Sequence, residues 1–219
     1  MSVAAPDRAL LEAYAVEVAP LLLGAVLTHS TPEGVVAVRL TEVEAYSGTG
    51  EDPGSHAHRG RTARNEVMFG EAARLYTYFT YGMHTCANVV TGPPGRAGGV
   101  LLRGGEVVEG LDLARVRRAA ARKDVDLARG PARLASALGI TLADGGADLL
   151  GGGAFLLRLA PTLRSEQVAT GPRVGVSGPG GDEERYPWRF WIAGDPTVSQ
   201  YRPAVQRGRR TGQEEDGAR

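Results

Sequence analysis

The chain has 219 residues, 42% of them hydrophobic and 23% charged, which places it among globular domains rather than disordered or fibrous chains. No apolar run reaches the roughly 18 residues that a membrane-spanning helix needs. The single cysteine, Cys86, excludes an internal disulfide, a four-cysteine iron–sulfur cluster and a multi-cysteine zinc site. Lys+Arg (25) balance Asp+Glu (25), which argues mildly against a nucleic-acid partner, yet the charges are unevenly spread. Between 115 and 133, seven basic residues (Arg115, Arg117, Arg118, Arg122, Lys123, Arg129, Arg133) face only Asp124 and Asp126, and Arg59, Arg61 and Arg64 follow His56 with no acid among them. Each stretch reads equally as a phosphate-facing surface or a solvated face.

The start of the chain has no basic segment followed by an apolar stretch, so a secretory signal is not expected and a cytoplasmic location is. Residues 7–15 have helical spacing, and a second short helix over 17–23 is interrupted at Pro20. Residues 25–29 and 35–44 read as two strands joined by a Pro- and Gly-containing turn. Residues 75–80 and 84–90 are rich in β-branched and aromatic residues, and predict a second hairpin with Tyr81 near its tip. A strand at 99–103, a charged helix at 109–123 and a short helix at 131–138 opened by Pro131 follow. Short strands are expected at 155–159, 173–176 and 188–192. The Gly- and Pro-rich stretches 91–99, 144–153 and 177–185 read as loops. Helices and strands mix without βαβ alternation, so the expected fold is α+β, a single domain over 1–207 with a curved, largely antiparallel sheet flanked by helices and a protruding β-hairpin. Residues 208–219 are expected to form a disordered tail.

Alternation along 35–44 puts Val36, Val38, Leu40, Glu42 and Glu44 on one face, the more apolar one, where a carboxylate is unexpected. Burial disfavours its charged form, so a site that needs Glu44 ionised requires a cation or donors nearby. Arg103, in phase with Leu101 on a plausible core face, is a candidate counter-ion. On the residues alone, Glu44 is either an edge-of-sheet residue or a catalyst. His56, His58, Glu66, His84 and Cys86 raise the question of a metal, but their spacing matches no recognised ligand pattern. Tyr46 shares the phase of Glu44, and Tyr76 and Tyr78 share a strand face. Sheet packing explains Tyr76 well and Tyr81 poorly, because a hairpin tip offers little to pack against.

Taken in order, Glu42-Val43-Glu44-Ala45-Tyr46, Ser55-His56-Ala57, Arg64-Asn65-Glu66-Val67-Met68-Phe69, Tyr76-Thr77-Tyr78-Phe79-Thr80-Tyr81-Gly82-Met83-His84, Val100-Leu101-Leu102-Arg103, Gly130-Pro131-Ala132-Arg133-Leu134, Arg173-Val174-Gly175-Val176 and Pro187-Trp188-Arg189-Phe190 resemble the alkyladenine (3-methyladenine) DNA glycosylase family, over about residues 9–202. The resemblance implies a base-excision repair enzyme that flips alkylated or deaminated purines out of double-stranded DNA and hydrolyses the N-glycosidic bond. By position, Glu44 matches the carboxylate that deprotonates the attacking water, and Arg103 the arginine that helps hold it. Tyr46, His56 and Tyr78 match the side chains that cradle the extruded base, Asn88 the asparagine at the pocket edge, and Tyr81 the residue wedged into the duplex. Arg59, Arg61 and Arg64 are the expected contacts to the DNA backbone. The resemblance further implies no cofactor, no metal, a monomer, and nucleoid association when DNA is bound.

Three departures from the family pattern bear on loop geometry and substrate range: Ala63 where a Pro commonly precedes Arg-Asn, Glu71-Ala72-Ala73 for a Pro-Gly turn, and Gly104-Gly105-Glu106 for a more apolar stretch. The only lysine, Lys123, lies in a charged segment away from the motifs, so hydrolysis without lyase activity is expected, since backbone cutting needs an amine nucleophile. Two alternatives stand beside this reading: a nucleic-acid binding module without catalysis, and a metal-dependent hydrolase using His56, His58 and His84.

Overall fold

The computed structural model describes residues 7–80 and 82–204; Tyr81 and the expected tail at 208–219 lie outside the described residues. Two short helices, α1 (Arg8–Leu11) and α2 (Ala15–Leu21), lead into the hairpin of β1 (Val26–Thr31) and β2 (Gly34–Tyr46). A second hairpin, β3 (Leu75–Thr80) and β4 (His84–Val90), has the expected bounds, and β5 (Gly99–Glu109) follows. Then come α3 (Leu111–Arg117), α4 (Pro131–Leu138), β6 (Phe155–Arg158), β7 (Val168–Gly171) and β8 (Arg189–Ile192). The strands form one sheet in the order β3-β4-β5-β2-β1-β6, with β8 pairing both β2 and β7. Every pairing is antiparallel, in keeping with the α+β expectation of a largely antiparallel sheet. No helix among the described residues is long and apolar enough to cross a membrane.

The long strand β2 organises the site. Its first half pairs with β1 as far as Arg39, and from Glu42 onward the same edge pairs with β8 instead, while β5 runs along the other edge throughout. Simple alternation fails within it. Val36, Val38 and Leu40 enter the main core as expected, but so do Val43 and Ala45, which leaves Glu42 and Glu44 on the opposite face. The cause is a β-bulge. Leu40 pairs with Gly105 and Glu42 with Gly104, so Thr41 is an extra residue that reverses the phase. The paired glycines, one of the departures noted above, make room for it: a Cβ on Gly105 would run into Val38 and the Arg39 carbonyl. Arg103 is corrected too, without any change of phase. Val100 and Leu102 fill the core, and Leu101 and Arg103 face the cleft described below.

The main core lies between the sheet and the helices. Val18 and Ala19 of α2 and Leu134, Ala135 and Leu138 of α4 pack with Leu27, Leu40, Leu75, Val89 and Leu102, each valine or leucine contributing about 1.5–3 kcal/mol when fully buried. A smaller cluster of Ala57, Met68, Phe69, Tyr76, Val90 and Ala97 supports the cleft, with Tyr78 packed against it.

Other expectations need correction. The helix predicted over 7–15 breaks because Glu17 caps the Tyr14 N–H at 3.1 Å and starts α2 there. That helix runs through Pro20, which sits in its last turn. The helix predicted over 109–123 is only α3, because β5 continues to Glu109 and Gly110 turns with φ 73°, its α-carbon too close to the Val35 carbonyl for any side chain. The strand predicted over 173–176 is a turn with Gly175 at φ 72°; the strand lies earlier, in β7. Arg173 and Val174 are committed to side-chain partners there, not to a ladder. In the departing Glu71-Ala72-Ala73 segment, Ala73 takes φ 62°, the one left-handed residue other than glycine among the described residues.

Candidate active site

A cleft of about 800 Å³ opens on the face of the sheet away from the main core, within the range of small-molecule sites. Glu44, Tyr46, His56, Tyr78, Asn88 and Arg103, the six residues expected at the reaction centre and base pocket, all line it. Glu44 is fully buried and holds three donors. Its Oε1 accepts the Val174 N–H at 2.6 Å, and its Oε2 accepts the Tyr46 hydroxyl at 2.9 Å and Arg103 Nη1 at 3.3 Å. Burial, then the charge of Glu44, raise the Tyr46 pKa well above that of free tyrosine, so its hydroxyl keeps the proton it donates. Burial alone would lower the pKa of Arg103, but the charges of Glu44 and Glu42 more than offset it and hold the guanidinium charged.

Glu42, two residues earlier on the same face, anchors that arginine. Its Oε1 accepts Arg103 Nε at 2.9 Å, Arg189 Nε at 2.7 Å and the Ser199 hydroxyl at 2.9 Å, and its Oε2 accepts the Ser199 N–H at 2.6 Å. Burial would raise its pKa, yet Arg103, Arg189 and the Ser199 N–H bring it below the ordinary carboxylate value. The segment that carries Ser199 continues into Arg202, Pro203 and Ala204, which line the cleft.

Alternation along β3 places Tyr76 and Tyr78 together, with ring centres 5.8 Å apart. His56 meets the Tyr78 ring edge-on at 4.6 Å, and its Nδ1 lies 3.1 Å from the Tyr76 hydroxyl. Burial first, then the Cys86 thiol opposite it in the hairpin, raise the pKa of Tyr78. Partial burial, then the charge of Arg64, lower that of His56 below 6.5. Asn88 donates to the Tyr76 carbonyl at 3.0 Å.

The three arginines expected at the DNA backbone are all exposed. The Arg64 guanidinium is 5.9 Å from the Tyr78 ring centre, and Arg61 lies over Phe69 while pairing with Glu66 at 3.2 Å. Much of the basic stretch at 115–133 is used internally. Arg115 pairs with Asp112 and Asp124, Arg117 with Glu33, and Arg118 and Arg129 donate to backbone carbonyls. Among the described residues no three His, Cys, Asp or Glu side chains converge as a metal group would require, which leaves the hydrolase alternative without a ligand set there.

A buried carboxylate paired with an arginine thus stands beside a group of aromatic side chains in one cleft, and the model of the methylpurine-DNA glycosylase family matches residues 9–196. The chain belongs to the methylpurine-DNA glycosylase family. Among its relatives, a protein of Leifsonia xyli subsp. xyli is 58% identical over 206 residues, covering 92% of this chain and 95% of the relative. One of Streptomyces avermitilis is 55% identical over 216 residues, with 95% and 100% covered. A third, of Nocardia farcinica, is 56% identical over 186 residues, with 83% and 84% covered. All three are provisionally named 3-methyladenine DNA glycosylase.

In this methylpurine-DNA glycosylase family member several site-building residues have no signal in the sequence beyond the blocks they sit in. Glu42 and Arg189 fall inside motif blocks without a separable pattern of their own, and Ser199 and Asp52 lie in irregular segments. Asn65 is another. It is 1% exposed, its Nδ2 donates to the His56 and Gly60 carbonyls at 3.0 Å each, and its Oδ1 accepts the Thr62 N–H at 2.7 Å. These bonds hold the loop that presents His56. Asn65→Ala leaves all three groups unpaired and should cost about 1–3 kcal/mol. A thermal melt should show a drop of several degrees, and an unchanged midpoint would mean that the loop is held by other contacts.

Proposed function

We propose that this glycosylase extrudes alkylated or deaminated purines, 3-methyladenine foremost and 7-methylguanine, hypoxanthine or ethenoadenine with it, from duplex DNA and hydrolyses the N-glycosidic bond with a water activated by Glu44. The observation that carries this reading is the buried Glu44, held by Arg103, the Tyr46 hydroxyl and the Val174 N–H at the wall of an aromatic cleft. Breaking the bond leaves an oxocarbenium-like sugar, and a fixed carboxylate both stabilises that charge and takes a proton from the incoming water. Arg103 keeps the carboxylate and the water in place. An alkylated purine is already cationic and leaves readily, so one carboxylate suffices where sugar hydrolysis ordinarily uses two.

The base must leave the helical stack to reach the carboxylate, at a cost of a few kcal/mol that is smaller for a damaged pair. Tyr46 and Tyr78 supply faces on which a cationic base stacks, worth about 0.5–2 kcal/mol, and His56 and Asn88 complete the slot. Tyr81, outside the described residues, is assigned the wedge by the resemblance, and side-chain wedges of this kind kink the duplex. Arg59, Arg61 and Arg64 are the proposed phosphate contacts, so binding should weaken steeply with salt. Lys123, the only lysine, is exposed at the start of a single 3-10 turn. The proposed enzyme therefore acts without an imine and leaves an abasic site, and the resemblance implies that it acts as a monomer. The test is incubation with duplexes carrying each lesion and scoring of alkali-labile sites; no such site on any alkylated duplex would refute the reading.

A neutral lesion such as hypoxanthine needs a proton as it departs, and His56 is the proposed donor. Its pKa lies below 6.5, so its charged form declines as pH rises through the mildly acidic range. Excision of hypoxanthine should decline with it, whereas excision of 7-methylguanine should not. Parallel pH profiles for the two lesions would remove His56 from that role.

A further inference from the structure

Behind the wall of the cleft, Arg173 and Asp52 form an ion pair with no exposed side-chain surface. Arg173 Nη1 and Nη2 donate to Asp52 Oδ2 and Oδ1 at 2.6 and 2.7 Å, a two-pronged pairing that fixes both planes. Asp52 also accepts the Ser47 and Gly54 N–H groups, and Arg173 donates to the Ala45 and Gly180 carbonyls. The backbone closes tightly on the pair. A Cβ at Gly54 would meet Arg173 Nη2 at 2.6 Å, and one at Gly180 would run into the Gly54 backbone. Neither Asp52 nor Arg173 lines the cleft.

Two contacts nevertheless tie this sealed pair to Glu44. The guanidinium carbon lies 4.5 Å from the centre of the Tyr46 ring, whose hydroxyl donates to Glu44. Arg173 also immediately precedes Val174, whose N–H is the other short donor to Glu44. Tyr46 lines the cleft and Arg173 does not, so the ring stands between the guanidinium and the cleft. A cation on one face of an aromatic ring uses the same quadrupole that would attract a cation to the other face, and it repels that second cation through the ring. Asp52 compensates the charge at a distance set by the pairing.

We propose that the buried Asp52–Arg173 pair sets how strongly the cleft prefers cationic alkylated purines over neutral ones, through the charge it holds behind Tyr46. The two are positioning residues and touch no reacting atom. The inference rests on the reading that the extruded base stacks on Tyr46.

The test compares single-turnover excision of cationic 7-methylguanine with that of a neutral lesion, hypoxanthine or ethenoadenine, at one pH and salt concentration, for the unsubstituted protein and three variants. Asp52→Asn leaves the guanidinium uncompensated, and the cationic-to-neutral ratio should fall by about tenfold. Arg173→Gln leaves the carboxylate instead, and the ratio should rise by a similar factor. The double variant Asp52→Asn with Arg173→Gln buries no unpaired charge, so it is the one best able to fold, and its ratio should rise by less. A pair that only holds the fold together would lower both lesions alike. An unmoved ratio in the variants that fold, or failure of all three to fold, therefore overturns the proposal. Tyr46→Leu separates the two levels. If it leaves both lesions excised at the normal rate, the stacking reading itself fails; if it slows excision while the pair variants keep the normal ratio, only the present inference fails.

Discussion

Glu44→Gln should bind a 7-methylguanine duplex within about threefold of the unsubstituted protein at fixed salt, yet release base at least about 10³-fold more slowly. Glutamine keeps the shape of the side chain but removes the charge that faces the developing oxocarbenium ion and the base that takes the proton of water. Its one oxygen can serve the Val174 N–H or the Tyr46 hydroxyl and Arg103, and not all of them as Glu44 does. A stability loss of about 1–3 kcal/mol should accompany the lost activity, from the group left without an acceptor. Gel-shift affinity and single-turnover release, measured on one preparation, separate these effects. Retention of more than about a tenth of the normal rate would show that the proton of water goes elsewhere, and Glu44 would lose its role.

Glu42→Ala should be the most destabilising single change at the site. It leaves Arg103 and Arg189 buried beside each other with no carboxylate between them and removes both acceptors of Ser199. Breaking a buried pair by removing one partner costs about 3–5 kcal/mol, which for a chain of this length is a fall of roughly 10 °C in Tm. The pH dependence follows from the same contacts. The folded-state pKa of Glu42 is depressed below its unfolded value of about 4.5, so the unfolded chain takes up the proton first. The stability that Glu42 contributes is therefore whole above that value and is lost as pH falls through it toward the folded pKa. Chemical denaturation below about pH 5 should accordingly show a steeper loss of stability for the unsubstituted protein than for Glu42→Ala. A change in Tm under about 2 °C at neutral pH would mean that Arg103 is anchored without this carboxylate.

Much of the architecture could be read from local chemistry. The hairpin of β3 and β4 and the helix α4 fall at their predicted bounds, because a dense run of β-branched and aromatic residues and a proline at the first helical position are decided by neighbours a few residues away. Where a distant partner competes, the local reading fails. The helix predicted to begin at Glu109 yields to a ladder with Ala37, and the strand predicted at Arg173 yields to an ion pair with Asp52 and a hydrogen bond to Glu44. Tyr46, His56, Tyr78 and Arg103 stand out because they sit in motif blocks in the right order, and Asn88 only by its position after one of them, not because spacing alone distinguishes any of them from packing residues.

What the amino-acid order settles by itself is most of the element types, the antiparallel α+β character and the family, since these rest on short-range propensity and on many motif blocks in order. The tertiary structure alone decides which way Glu44 faces. A single extra residue at Thr41, fitted against Gly104 and Gly105 of the neighbouring strand, turns both carboxylates of β2 out of the main core, Glu44 to the wall of the cleft and Glu42 to the buried arginine behind it. A bulge is a relation between two strands, and no periodicity within one strand can reveal it.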